Sequence, residues 1–167
     1  MVKKLILYIV LLNSLSLFGQ ELKDTLQTKN YKNAVFVEIL GATGYLSVNY
    51  ERNFSLLKQL KIKPGVGVGN FIKSEKIPNV ISYTFRIDLE YGNKRIKPVL
   101  GYAFSNNYDL ANTATSYLVN AANLGVSFKL SNSFSILPKY YLLFIYEPES
   151  DVNYLLHWSG LQVKFNF

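Results

Sequence analysis

Residues 81–91, ISYTFRIDLEY, alternate without a break. Ile81, Tyr83, Phe85, Ile87, Leu89 and Tyr91 fall on one face, and Ser82, Thr84, Arg86, Asp88 and Glu90 on the other. A period of two is the signature of extended chain, because a helix would mix the two sets. The pattern recurs. Leu46, Val48, Tyr50 and Phe54 oppose Ser47, Asn49, Glu51 and Asn53. Leu124, Val126, Phe128 and Leu130 oppose Gly125, Ser127 and Lys129. No stretch after Ala34 has a helical period. Strands are therefore expected at about 33–41, 45–54, 60–72, 80–91, 96–106, 117–130, 134–146 and 155–167. Most exceed the ~5–6 residues of soluble strands and match the ~9–11 that cross a bilayer at a tilt.

The connectors alternate as well. SLLKQ, GNKR and SNS are short, whereas KSEKIPN, NYDLANTATS and EPESDVN are longer and polar. GATG, between the first two strands, is a short connector on the long-loop side. Short turns at one end and longer loops at the other predict an all-β fold: an eight-stranded antiparallel transmembrane β-barrel, an up-and-down meander over 34–167. An even strand number puts both termini at the short-turn end. Pro64, Pro98 and Pro138 recur near the starts of alternate strands. Each removes a ladder donor, so each is expected beyond the hydrocarbon or at a bulge.

Alternation alone does not say which face is the core. A soluble barrel points its apolar face inward, and a membrane barrel points it outward. Here the polar face carries ionisable groups on several strands: Glu38, Glu51, Lys63, Arg86, Asp88, Glu90, Lys97, Lys129, Lys139 and Lys164. Inside a barrel both signs are present to pair. Aromatics also gather at strand ends. Phe54, Tyr91, Phe128, Phe134 and Phe167 mark the short-turn end, and Phe104 and Tyr146 the other rim, as interfacial girdles require.

Residues 1–19 read as a signal peptide, with Lys3 and Lys4 before a short apolar run and Gly19 near its end. Residues 20–33 read as a polar lead segment. With the signal peptide and the alternating strands, the expected location is the outer membrane. The net charge of +7 is scattered rather than clustered, which argues against nucleic acid as a partner. The chain has no cysteine and one histidine, so neither a thiol site nor a multi-histidine metal site is expected, and no cofactor is implied.

Leu161, Val163, Phe165 and Phe167 alternate to the last residue. This ending resembles the C-terminal signal read by the outer-membrane barrel assembly machinery. From Ala34 onward the chain resembles small outer-membrane barrels of the porin-like and OmpA/OmpX type, and VEILGATGYLSVNYERNF is similar to the first hairpin of such proteins in Bacteroidetes-type bacteria. The resemblance implies the fold and the location; the expected protein is a monomeric barrel in contact with outer-membrane lipid and lipopolysaccharide, structural or surface-interacting and without catalytic residues.

Two alternatives remain open: a narrow pore or transporter, and a lipid-modifying enzyme. His157 and Ser159 have the spacing of the pair in lipid A deacylase barrels, but no acid follows them to orient the imidazole. Gly65, Gly67 and Gly69 lack dinucleotide-loop spacing and read as small luminal residues. YYLLFIY is apolar on both faces, so Tyr141, Leu143 and Ile145 should enter the upper lumen. There they form either a plug packed against those glycines or a small cavity for an apolar ligand.

Overall fold

The computed structural model describes residues 31–71, 80–109, 116–148 and 152–167. The expected signal peptide and residues 20–30 of the lead segment lie outside the described residues. The strands are β1 (Asn33–Gly41), β2 (Gly44–Arg52), β3 (Phe54–Ser55), β4 (Leu60–Phe71), β5 (Val80–Tyr91), β6 (Ile96–Asp109), β7 (Ser116–Lys129), β8 (Phe134–Glu147) and β9 (Val152–Asn166). β3 continues β2 past a break at Asn53, so the wall has eight staves. Three strand ends differ from expectation. The 45–54 strand is interrupted at Asn53, the 96–106 strand runs on to Asp109, and the last strand begins at Val152. Extended backbone therefore takes up parts of two expected loops.

All pairings are antiparallel, and the β2–β4 ladder closes the sheet on itself. β1 and β9 pair from Ala34↔Asn166 to Ile39↔Leu161. Asn33 and Phe167 exchange backbone bonds of 3.1 and 2.9 Å at the foot of that seam. β9 is thus the ladder partner of β1, which closes the seam. From Val163 the register runs one way through Val37, Val48, Val68 and Tyr83 to Asn106. The other way it runs through Ile136 and Phe128 to Ile96. The circuit closes ten residues out of step on β6. Such a stagger is what tilts the strands of a closed barrel, typically by ~35–45°.

The core is inverted. Val48, Phe85, Leu100, Leu124 and Phe144 project outward, with Phe85 63% exposed. Glu38, Glu51, Asp88 and Gln162 point inward and are fully buried. Water offers no reason to expose one face and bury the other in that sense, whereas an apolar solvent does.

The prolines lie within strands, and one neighbouring ladder lapses beside each. The β2/β3–β4 register skips from Glu51↔Gly65 to Phe54↔Ile62 across Pro64. The β5–β6 ladder stops at Glu90↔Val99, next to Pro98. The β7–β8 ladder skips from Gly125↔Lys139 to Phe128↔Ile136 across Pro138. The missing N–H is absorbed where pairing is already interrupted.

Leu40 has φ 53°, a left-handed conformation uncommon outside glycine. Its carbonyl lies where a Cβ on Gly160 would sit. Glycine at 160 therefore lets β9 approach the strained end of β1. Gly160→Ala should lower barrel stability by about 1–3 kcal/mol, read as an earlier urea midpoint of the gel-shifted folded form. At Gly92 nothing lies within 4 Å of an added Cβ, but its φ of 108° makes it unsuitable as a neutral control.

Candidate functional site: the luminal charge network

Inward parity brings charged residues of all eight staves into one bore. At its centre Glu38 from β1 accepts hydrogen bonds from Arg86 on β5, Tyr141 on β8 and Gln162 on β9. Arg86 Nη2 approaches Oε2 at 2.8 Å and Nη1 approaches Oε1 at 3.3 Å. This fork is two-pronged, the strongest geometry open to a carboxylate and a guanidinium. β1 and β5 are not neighbours in the wall, so the pair crosses the lumen. A second crossing runs from Lys139 on β8 to Asp88 on β5, at 2.6 Å. The Glu38 carboxyl occupies the space a Cβ at Gly41 would need, so glycine there makes the site possible.

Toward the terminal end the charges form a chain. Lys164 binds Glu51 at 2.7 Å, and Lys63 lies 3.8 Å from Glu51 and 2.5 Å from Glu90. Lys97 reaches the other Glu90 oxygen at 2.9 Å. Removing a charge from water costs several kcal/mol per ion, repaid only by close opposite charge and further hydrogen bonds. All four carboxylates have a close cation, but only Glu38 adds neutral donors, Tyr141 and Gln162, while Asp88 Oδ1 and Glu51 Oε1 are buried without a hydrogen-bond partner among the described residues. Lys129, half-buried at the terminal mouth, makes no ion pair among the described residues.

Phe36 went unnoticed in the sequence, although it shares the parity of Glu38. It is buried at the bore's centre. Arg86 Cζ lies 5.0 Å and Lys164 Nζ 4.4 Å from its ring centroid, so one aromatic ring meets two cations.

Above the charges the bore becomes apolar. Tyr141 and Leu143 are buried against Ala103, Val119 and Ala121, with Ile145 and Trp158 packed on the cluster. Alanines of β6 and β7, not the glycines of β4, receive the plug. Gly65, Gly67 and Gly69 instead lie against Glu51 and Arg86, Asn49, and Thr43. The GATG turn packs onto the same cluster. Ala42 and Thr43 are buried, and their carbonyls accept from Ser105 and Ser82 at 3.4 Å each. The short connector is an inward-folded turn. Beyond the plug, the outer mouth holds an apolar cavity of about 580 Å³ that includes Leu40, Tyr45, Ile145, Tyr154, Leu156 and Trp158 among its lining residues.

His157 and Ser159 point away from the bore and are exposed. The His157 ring sits 5.9 Å from that of Tyr140, and among the described residues neither His157 nor Ser159 has a carboxylate partner. No cluster of three or more potential metal ligands occurs among the described residues.

No family model matches the chain, and no curated protein matches it. Among solved structures it is similar to Neisserial surface protein A (NspA), with a TM-score of 0.48 and 15% identity over 81% of this chain and 93% of that one.

The crossing pair sets up a direct test. Arg86→Ala leaves the Glu38 carboxylate buried without its main partner, and should cost about 3–5 kcal/mol. Replacing both, Glu38→Leu with Arg86→Met, should recover most of that loss. Urea titration of the folded band for wild type, Glu38→Leu, Arg86→Met and the double variant measures the coupling.

Proposed function

We propose that the chain is a non-enzymatic outer-membrane β-barrel protein, structural or surface-interacting, whose lumen is closed by its own side chains. The observation that carries this reading is the interior itself. Ion pairs cross the bore, and an apolar plug with an inward turn lies above them. Eight staves leave room for little more than side chains. The apolar exterior supports a membrane location, with lipid and lipopolysaccharide as its surroundings. Leu161, Val163, Phe165 and Phe167 are exposed on the outer wall, where the assembly machinery would meet them. The barrel needs no second copy to complete its wall, which favours a monomer.

The outer mouth supports a second reading, that the barrel holds an apolar ligand. Tyr154 and Leu156 follow the inward parity of β9 yet are 50% and 43% exposed. An apolar concavity of this size matches known ligand cavities of ~300–1,000 Å³. Native mass spectrometry of the purified barrel would show a retained lipid if this reading holds, and bare protein if it does not.

The closed-lumen reading predicts silence in planar bilayers. Wild-type protein should give no stable conductance steps, and reproducible steps abolished by a bulky residue at Gly67 would make it a pore. Cell fractionation should place the protein in the outer membrane, whereas a periplasmic soluble monomer would remove the membrane reading. His157→Ala should leave the lipid A mass spectrum unchanged.

A further inference from the structure

The charge inside the barrel is unevenly distributed. In the middle of the bore Glu38, Glu51 and Asp88 meet Arg86, Lys139 and Lys164 one for one. The mouth at the chain termini has no such balance. A cavity of about 320 Å³ opens there, lined by Lys58, Lys61, Lys63, Lys97 and Lys129 with Glu90 as its one carboxylate among the described residues. Those five lysines against one acid leave an excess of four positive charges among the described lining residues. Glu90 is already shared by Lys63 and Lys97, at 2.5 and 2.9 Å.

The rest of the lining is also polar and rich in donors, including the amides of Asn93 and Asn132. Ammonium groups donate three hydrogen bonds each and accept none, while amides and hydroxyls can do both. Like charges held around one concavity repel, and a bound anion relieves that repulsion. Lysine serves phosphate as a point charge without demanding the planar fork that arginine gives a carboxylate. The plug closes the far end of the bore, so a bound ion has one way in and out.

We infer that the terminal mouth is a binding site for a compact, water-soluble polyanion such as a diphosphate or a tricarboxylate. The lysines come from inward positions of β4, β6 and β7 and from the β3–β4 turn, so they surround an aqueous concavity and not the lipid-facing wall. That placement selects a free anion over a lipid headgroup. The site is independent of whether the outer mouth holds an apolar ligand.

Isothermal titration of the full barrel in neutral detergent at low ionic strength tests this, with pyrophosphate, citrate and acetate as probes. Pyrophosphate and citrate should bind saturably at one site per chain, and acetate should not. Lys58→Gln with Lys129→Gln should weaken pyrophosphate binding at least tenfold, and arginine at both positions should restore it. Lys32→Gln, at the same end but outside the lining, should leave binding unchanged. Gel mobility with and without boiling confirms that each variant is folded. Absence of saturable binding to wild type would overturn the site. So would equal weakening by Lys32→Gln, which would reduce the effect to overall charge. If the barrel reconstituted in neutral phosphatidylcholine vesicles binds pyrophosphate but loses that binding when phosphatidylglycerol is included, the free-anion assignment fails in favour of headgroups.

Discussion

The barrel is organised around one buried carboxylate. Glu38 sits at the centre of the bore and takes hydrogen bonds from β5, β8 and β9 while belonging to β1. Backbone ladders tie each strand only to its two neighbours. Glu38 ties strands that the ladders leave apart. Its charge could not be tolerated there without Arg86, and Arg86 could not be buried without Glu38. Phe36 and Gly41 then follow as local requirements: an aromatic face for the guanidinium and an empty Cβ position for the carboxyl.

A network of this kind specifies register. A strand slipped by one residue would turn its charges toward the apolar surroundings and its aliphatic residues into the bore. A slip by two would keep the faces but part Lys139 from Asp88 and Lys164 from Glu51. The ion pairs thus penalise the two-residue slip that alternation alone permits. This role does not require the pairs to outweigh an apolar core in stability, which buried ion pairs often fail to do.

Alternation made the strands and their inward faces readable from the sequence. ISYTFRIDLEY could be placed on β5 with every side assigned. Parity gives a face but not an angle around the bore. That Arg86 meets Glu38, and Asp88 meets Lys139, follows from the ten-residue stagger, which emerges only when all eight staves close. Phe36 was hidden for a related reason. An aromatic on a strand looks lipid-facing until its parity is fixed by a neighbour such as Glu38. The GATG turn was visible as an anomaly in loop length, but its inward fold depends on Ser82 and Ser105 from distant strands. The break at Asn53 had a cue in Pro64, which removes a donor from the facing strand.

The two mouths differ in kind because the bore changes character along its length. At the terminal end the lining is cationic and rich in amides, and at the other it is aliphatic and aromatic. Between them lies the apolar cluster of Tyr141, Leu143, Ala103, Val119 and Ala121. A continuous polar lumen would let ions solvate along its whole length, whereas the Tyr141–Leu143 layer with Ala42 offers them no partner. The same layer lets each mouth be tuned without the other. A change at Lys129 need not disturb Leu156, because the Glu38 network and the plug lie between and are held by their own bonds. The change of lining along the bore is therefore what gives one small barrel two chemically distinct mouths.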